Sequence, residues 1–249
     1  MIKAILLDLF GTLIAYADQE EDIRTAGDGI YAVLVKLGAA MPYEDFVHYW
    51  LTRFFPSLTP DENIAETPFL GKILRLFRAC GLPEDRAAAR QAAADCIADW
   101  EAHFYLPEDT LPTLAALRER YPLALVSNFD HPPYVHELLQ RHGLARYLEP
   151  IIVSGAVGFD KPDPRIYHLA LDALGCAPEE ALFVGDTLET DIAGAEAIGC
   201  RAVLIDMKDT HPQHPGERIR RLSELPTLLD PCNKGCRTSR GDAETYTRK

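Results

Sequence analysis

The chain reads as an α/β protein: a Rossmann-like, doubly wound parallel sheet core with an inserted all-helical cap. Two observations predict the sheet. Short apolar runs recur at 5–7, 122–127, 150–153, 181–185 and 202–206. Helical patterns separate them, which parallel strands require for their crossovers. A third observation predicts the insert, since residues 16–104 carry helical spacing alone. The expected division is therefore 1–15 with 105–230 as the core, 16–104 as a helical cap, and 231–249 as a flexible polar tail.

The first run, Ile5 to Leu7, ends in a single carboxylate, Asp8, followed by the turn formers Gly11 and Thr12. Ile23, Ile30, Val33, Leu34 and Leu37 then fall at helical spacing and stop at Gly38. Pro42 opens a helix with Glu44 and Asp45 in its first turn, and Phe46, Tyr49, Trp50 and Phe54 give it an aromatic face suited to a core or a dimer contact. Pro56 and Pro60 break the chain. Ile73, Leu74, Leu76 and Phe77 mark a helix ending near Gly81, and the alanine-rich stretch 84–103 marks another. Beyond Pro107, helices at 108–120, 132–142, 164–174 and 190–198 alternate with the remaining strands. That gives five strands in all. An insert that leaves the sheet just after Asp8 and returns about 90 residues later is placed to act as a lid.

Composition narrows the function classes. No run approaches the ~18–20 apolar residues of a membrane helix, and the amino terminus lacks the basic and apolar pattern of a secretory leader, so a cytoplasmic location is expected. The net charge of −13 argues against nucleic acid as a partner. A small anionic substrate remains open, held by local groups, to a monomer or a homodimer. Of the six cysteines, Cys80, Cys96, Cys176 and Cys200 suit packing as small apolar residues, while Cys232 and Cys236 in the tail suit a metal half-site or a disulfide.

Four strand ends carry polar groups. In an open parallel sheet these ends share one rim, where ligands bind. Asp8 is the candidate nucleophile there, or else a carboxylate capping a turn. Ser127 and Asn128 end the second strand and suit hydrogen bonding to phosphoryl oxygens. Lys161, in Gly-Phe-Asp-Lys-Pro-Asp-Pro, is either a surface lysine or the ammonium that a site full of carboxylates requires. Asp163 and Pro164 beside it suit the start of a helix. Asp186 and Asp191, in Val-Gly-Asp-Thr-Leu-Glu-Thr-Asp-Ile, are hard oxygen ligands of the kind magnesium takes, with Asp191 alternatively serving a helix terminus. Glu189 suits solvent.

Taken together, Asp-Leu-Phe-Gly-Thr, the helical insert, Val-Ser-Asn, Lys-Pro-Asp-Pro and Gly-Asp-Thr-Leu-Glu-Thr-Asp resemble the haloacid dehalogenase-like hydrolase superfamily over about residues 1–210. The resemblance implies that Asp8 is a covalent nucleophile, Thr12 supports its loop, Ser127 and Lys161 bind the transferred group, and Asp186 holds Mg2+. Most members are phosphatases acting through an aspartyl-phosphate. A branch displaces halide from carbon without metal.

One position departs from the phosphatase pattern. Those members carry a second aspartate two residues after the nucleophile, where this chain has Phe10. That aspartate protonates the departing alcohol and then activates water, worth ~10²–10⁴-fold or about 3–5 kcal/mol of barrier. The resemblance implies that metal binding need not suffer, because in the family this position contributes only its backbone carbonyl. A bulky aromatic there resembles the dehalogenase branch, whereas Asp186 and Asp191 keep the metal pattern. The expected function is a magnesium-dependent phosphatase of a small metabolite, strongest on acyl or aryl phosphates, with Asp130 or His131 as possible substitutes for the missing acid. The alternatives are a 2-haloacid dehalogenase and a phosphate- or partner-binding homologue that has lost turnover. Tyr16, Asp18 and Arg53 of the cap suit surface or packing positions, or else substrate contact.

Overall fold

The computed structural model describes residues 1–17, 27–56 and 65–230. Ile23, Pro60, Asp18 and the tail with Cys232 and Cys236 lie outside them. Among the described residues eight strands are present: β1 (Ala4–Leu7), β2 (Ala15–Tyr16), β3 (Phe104–Tyr105), β4 (Leu123–Ser127), β5 (Ile151–Val153), β6 (Ala181–Gly185), β7 (Arg201–Ile205) and β8 (Glu217–Ile219). Six of them form one sheet in the order β5-β4-β1-β6-β7-β8, every pair parallel. The first strand is therefore central. The chain builds outward from β1 to one side and then returns to build the other, and at such a reversal the crossovers diverge and leave a crevice at the carboxyl ends.

Strand alternation explains the two faces. Ile5, Leu7, Leu125, Leu182, Val184 and Val203 point to one side into a core shared with Leu114, Leu138 and Leu139. Leu6, Ala124, Val126, Phe183 and Leu204 point to the other, against Ile166, Tyr167 and Ala170. Both faces are covered, so these strands read as continuous apolar runs.

The helices are α1 (Asp28–Lys36), α2 (Tyr43–Tyr49), α3 (Pro68–Ala79), α4 (Arg86–Glu101), α5 (Thr110–Arg118), α6 (Pro132–Arg141), α7 (Ser154–Val157), α8 (Pro164–Leu174), α9 (Ala193–Ala197) and α10 (Leu225–Leu229). The first four make an inserted bundle with its own core of Ile30, Leu34, Phe46, Trp50, Phe54, Ile73, Phe77 and Ala92. The aromatic face of 46–54 is thus internal packing. Thr67 and Asp85 cap α3 and α4 with their side-chain oxygens, and Asp163 caps α8 ahead of Pro164 as its sequence suggests. Cys80, Cys96, Cys176 and Cys200 are free thiols, two buried and two half-buried.

Three expectations are corrected. The sheet has six strands instead of five, because β8 pairs with β7 beyond the last apolar run. Its Glu-Arg-Ile sequence holds one buried residue, and Arg218 is anchored by the buried Asp206 at 2.8 Å. Such a strand is fixed by polar contacts that apolar patterning does not register. The segment 16–104 is not wholly helical either. Tyr16 pairs with Phe104 in a short antiparallel ladder of β2 and β3 where the bundle joins the sheet. Lastly, the segment 190–198 begins as a wide π-type turn, Leu188–Ile192, before α9.

Candidate active site

The site is built from the ends of three neighbouring strands. Asp8 follows β1, and its N–H donates to the Val184 carbonyl of β6 at 3.0 Å. Asp186 follows β6. The π-type turn after it swings Asp191 back under the strand end, where its Oδ2 accepts the Thr187 N–H at 3.0 Å. Asp8, Asp186 and Asp191 each offer an oxygen within 4.8 Å of the others. Glu189, in the same turn, is exposed as its sequence suggests.

Two glycines make this convergence possible. Gly11 adopts φ +83°, and a Cβ there would lie 2.0 Å from Asp186 Oδ2. A Cβ on Gly185 would lie 2.4 Å from Asp191. Side chains at either position would occupy the space that the carboxylates use.

Lys161 enters from the loop before α8. Its Nζ donates to Asp8 Oδ1 at 2.6 Å and pairs with Asp191 Oδ1 at 2.7 Å. Asn128 holds that loop, accepting the Lys161 N–H at 2.7 Å and donating to the Lys161 carbonyl at 2.9 Å. The side chain expected to meet substrate is thus engaged on the lysine backbone. Ser154, at the end of β5, accepts the Phe129 N–H at 3.0 Å and pins the loop after β4. It was not among the sequence candidates, although a serine directly after an apolar strand is the same signal that marks Ser127.

Electrostatics separate these groups. Burial pushes Asp8 up to about 6, with Lys161 opposing and Asp191 adding to the rise. Burial, reinforced by Asp8 and Asp191, pushes Asp186 up to about 7. For Lys161 burial works against the ammonium, but the carboxylates of Asp8 and Asp191 outweigh it and hold its pKa above the usual range. One ammonium against three clustered carboxylates leaves negative charge without a partner. The donors are all hard oxygens, and this set and this charge fit a divalent cation such as magnesium. Nearby, the hydroxyls of Thr12 and Ser127 are buried without a hydrogen-bond partner. Buried polar atoms are rarely left so.

A cleft of about 450 Å³ opens onto Asp8, Lys161, Asp186 and Asp191. Its opposite wall is aromatic. The Phe10 ring centroid lies 5.1 Å from Trp100, 5.4 Å from Phe104 and 5.1 Å from Phe129, with Tyr16 at 6.5 Å. Trp100 ends α4, so the bundle supplies part of the wall. Sequence reading placed Tyr16 near the site but missed Trp100 and Phe129.

The suggested substitutes for the missing acid do not line this cleft. Asp130 accepts from buried Lys72 of α3 at 2.5 Å, and His131 Nδ1 shares a 2.9 Å hydrogen bond with Thr67. Burial lowers the His131 pKa. Both residues fasten the bundle to the sheet. Arg53 is exposed.

Comparison with known proteins gives the family and the fold. A family model described as haloacid dehalogenase-like hydrolase matches residues 2–199. A phosphoserine phosphatase from Thermus thermophilus is 37% identical over 237 residues, covering 86% of this chain and 92% of the relative. Among solved structures, a HAD phosphatase from Thermococcus onnurineus superposes with a TM-score of 0.65 at 25% identity, covering 92% of this chain and 98% of that one. A 2-haloacid dehalogenase from Pseudomonas syringae shares the fold, with a TM-score of 0.64 at 24% identity and the same shares covered.

Proposed function

Since the chain belongs to the haloacid dehalogenase-like hydrolases, we infer that it is a magnesium-dependent phosphatase of a small phosphorylated metabolite. The observation that carries this reading is the convergence of Asp8, Asp186 and Asp191 with Lys161 at the floor of one cleft. A hard cation has no use in halide displacement, so the acidic set favours phosphoryl transfer over the dehalogenase chemistry that Phe10 resembles. The phosphatase name of the Thermus relative supports the same choice.

In this reading Asp8, Asp186 and the backbone carbonyl of Phe10 would hold magnesium, with Asp191 bound directly or through water. Bound there, magnesium would supply charge neutralisation for the phosphoryl oxygens. Lys161 occupies Asp8 Oδ1, leaving the other carboxylate oxygen to attack phosphorus in line. The ammonium stays charged throughout and offsets repulsion between nucleophile and phosphate. Thr12 and Ser127 donate their free hydroxyls to phosphoryl oxygens. Asn128 positions Lys161 through its backbone. Residues 16–104 act as a cap, and Trp100 and Tyr16 exclude water from the reacting side. Phe10 cannot protonate a leaving group, so the favoured substrates are acyl and aryl phosphates, whose departing oxygens are stable anions.

The test is a substrate panel of acetyl phosphate, an aryl phosphate, phosphoserine and 2-chloropropionate, each with magnesium and with chelator. We expect magnesium-dependent phosphate release, fastest from the first two and abolished by Asp8→Asn. No phosphate from any ester, or release indifferent to Asp8→Asn, refutes the reading. Chelator-resistant chloride release from 2-chloropropionate transfers support to the dehalogenase alternative.

A further inference from the structure

Resting on the Asp8 phosphatase reading, we propose a further activity: the site exchanges a phosphoryl group between carboxylates, with Asp8 as the carrier. The observation is what the cleft lacks. Its described lining holds no histidine and no glutamate, and its only carboxylates are Asp8, Asp186 and Asp191. Asp191 is already paired with Lys161. The remaining polar side chains are the Lys161 ammonium, the Trp100 indole N–H, the amide of Asn128 and the hydroxyls of Tyr16, Thr187 and Thr190, and position 10 is a phenylalanine packed into aromatic rings. With Asp8 carrying the phosphoryl group and Asp186 committed to the cation in the phosphatase reading, no described residue of the cleft is left to take a proton from water.

Loading needs no proton. An oxygen of the Asp8 carboxylate forms a bond to phosphorus, the bond from phosphorus to the acyl oxygen breaks, and the acid leaves as a carboxylate anion. Unloading to a second carboxylate is the same event in reverse. Its oxygen bonds to phosphorus, the bond to Asp8 breaks, and the Asp8 carboxylate is regenerated. Atoms and charges balance with no acid or base at either step. Water must instead lose a proton as it attacks, and with no general base among the described lining residues that route is slower by ~10²–10⁴-fold. A departing acid and an arriving one occupy the same place, against Phe10, Trp100 and Phe129. The matching acceptors are therefore small carboxylates with an apolar or aromatic body.

The experiment incubates the full chain with magnesium, acetyl phosphate and carbon-labelled acetate, measuring label in acetyl phosphate alongside free phosphate. Benzoate replaces acetate in a second arm, and the new acyl phosphate is trapped with hydroxylamine after quenching. We expect label to enter acetyl phosphate about tenfold faster than phosphate accumulates, the residue of a base-free route competing with a base-starved one. Benzoyl phosphate should form in the second arm. Phe10→Asp should reverse the preference by restoring hydrolysis. Phosphate release with no label in the ester overturns the exchange activity and leaves the phosphatase reading intact. Neither exchange nor release, with Asp8→Asn indistinguishable from the native chain, overturns both.

Discussion

In the proposed reading two residues of the first loop set the chemistry from opposite directions. Phe10 offers no proton-transfer group beside Asp8 and puts a ring in contact with Trp100 and Phe129. Phe10→Asp should speed magnesium-dependent turnover of phosphoserine by ~10²-fold or more, while changing acetyl phosphate loading far less, since only the alkyl ester needs an acid. Steady-state rates on the two esters decide this, and an unchanged phosphoserine rate shows that position 10 does not limit. Gly11 acts through space. With its Cβ site 2.0 Å from Asp186 Oδ2 and a left-handed φ, Gly11→Ala must displace the carboxylate and strain the loop. Magnesium affinity by calorimetric titration should fall ~10–100-fold with the circular dichroism spectrum retained. Affinity within a factor of two of the native chain would mean that Asp186 is not a ligand. At this scale the sequence was legible wherever a polar residue ended an apolar strand, as at Asp8, Ser127 and Asp186. It was silent on Trp100, whose contact with Phe10 spans 90 positions and belongs to no local pattern.

Among elements, α3 ties the bundle to the loop after β4. Its Lys72 is buried and bonded to the Phe55 carbonyl at 2.9 Å and to Asp130 at 2.5 Å, while the Phe69 N–H donates to the Asp130 carbonyl at 3.1 Å. Lys72→Met should destabilise the chain by ~1–3 kcal/mol, below the figure for a fully buried pair because Asp130 keeps a third of its side chain in solvent. If the bundle is a closing cap, KM for acetyl phosphate should rise several-fold while kcat moves less. A drop in kcat alone would assign Lys72 to folding only. Helices and strands were readable from periodicity, down to 164–174 and 181–185. The exceptions were too short or too polar to show a period: β2, β3 and β8 have two, two and three residues, and the π-type turn at 188–192 imitates a helix start.

For the whole molecule, the uncompensated charge at the site links stability to pH and metal. Asp8 at about 6 and Asp186 at about 7 lie above the usual carboxylate value near 4. Folding therefore favours their protonated forms. The stability they contribute is complete below that usual value and is lost as pH rises through 6 and 7. Metal-free protein should lose thermal stability between pH 5 and pH 8 through these groups. Magnesium should restore it most at pH 8, where it displaces no protons. At about a hundredfold excess over its dissociation constant the gain is ~3 kcal/mol, or roughly 5–10 °C for a chain of this size, and the gain at pH 5 should be distinctly smaller. Calorimetry at both values checks this, and equal shifts would remove the carboxylates from the metal site.

The sequence by itself determined the order of the five apolar strands and the longer helices, the burial of the sheet, and the groups that share its rim, because these follow from periodicity and from the residue that ends each run. Tertiary structure alone decided that Asp191 turns back to share the Lys161 ammonium with Asp8, that Asn128 serves Lys161, and that Phe10 faces rings from the bundle instead of a substitute acid. Those facts depend on which strand lies beside which and on chain segments some 30 to 180 residues apart, distances over which no local pattern carries information.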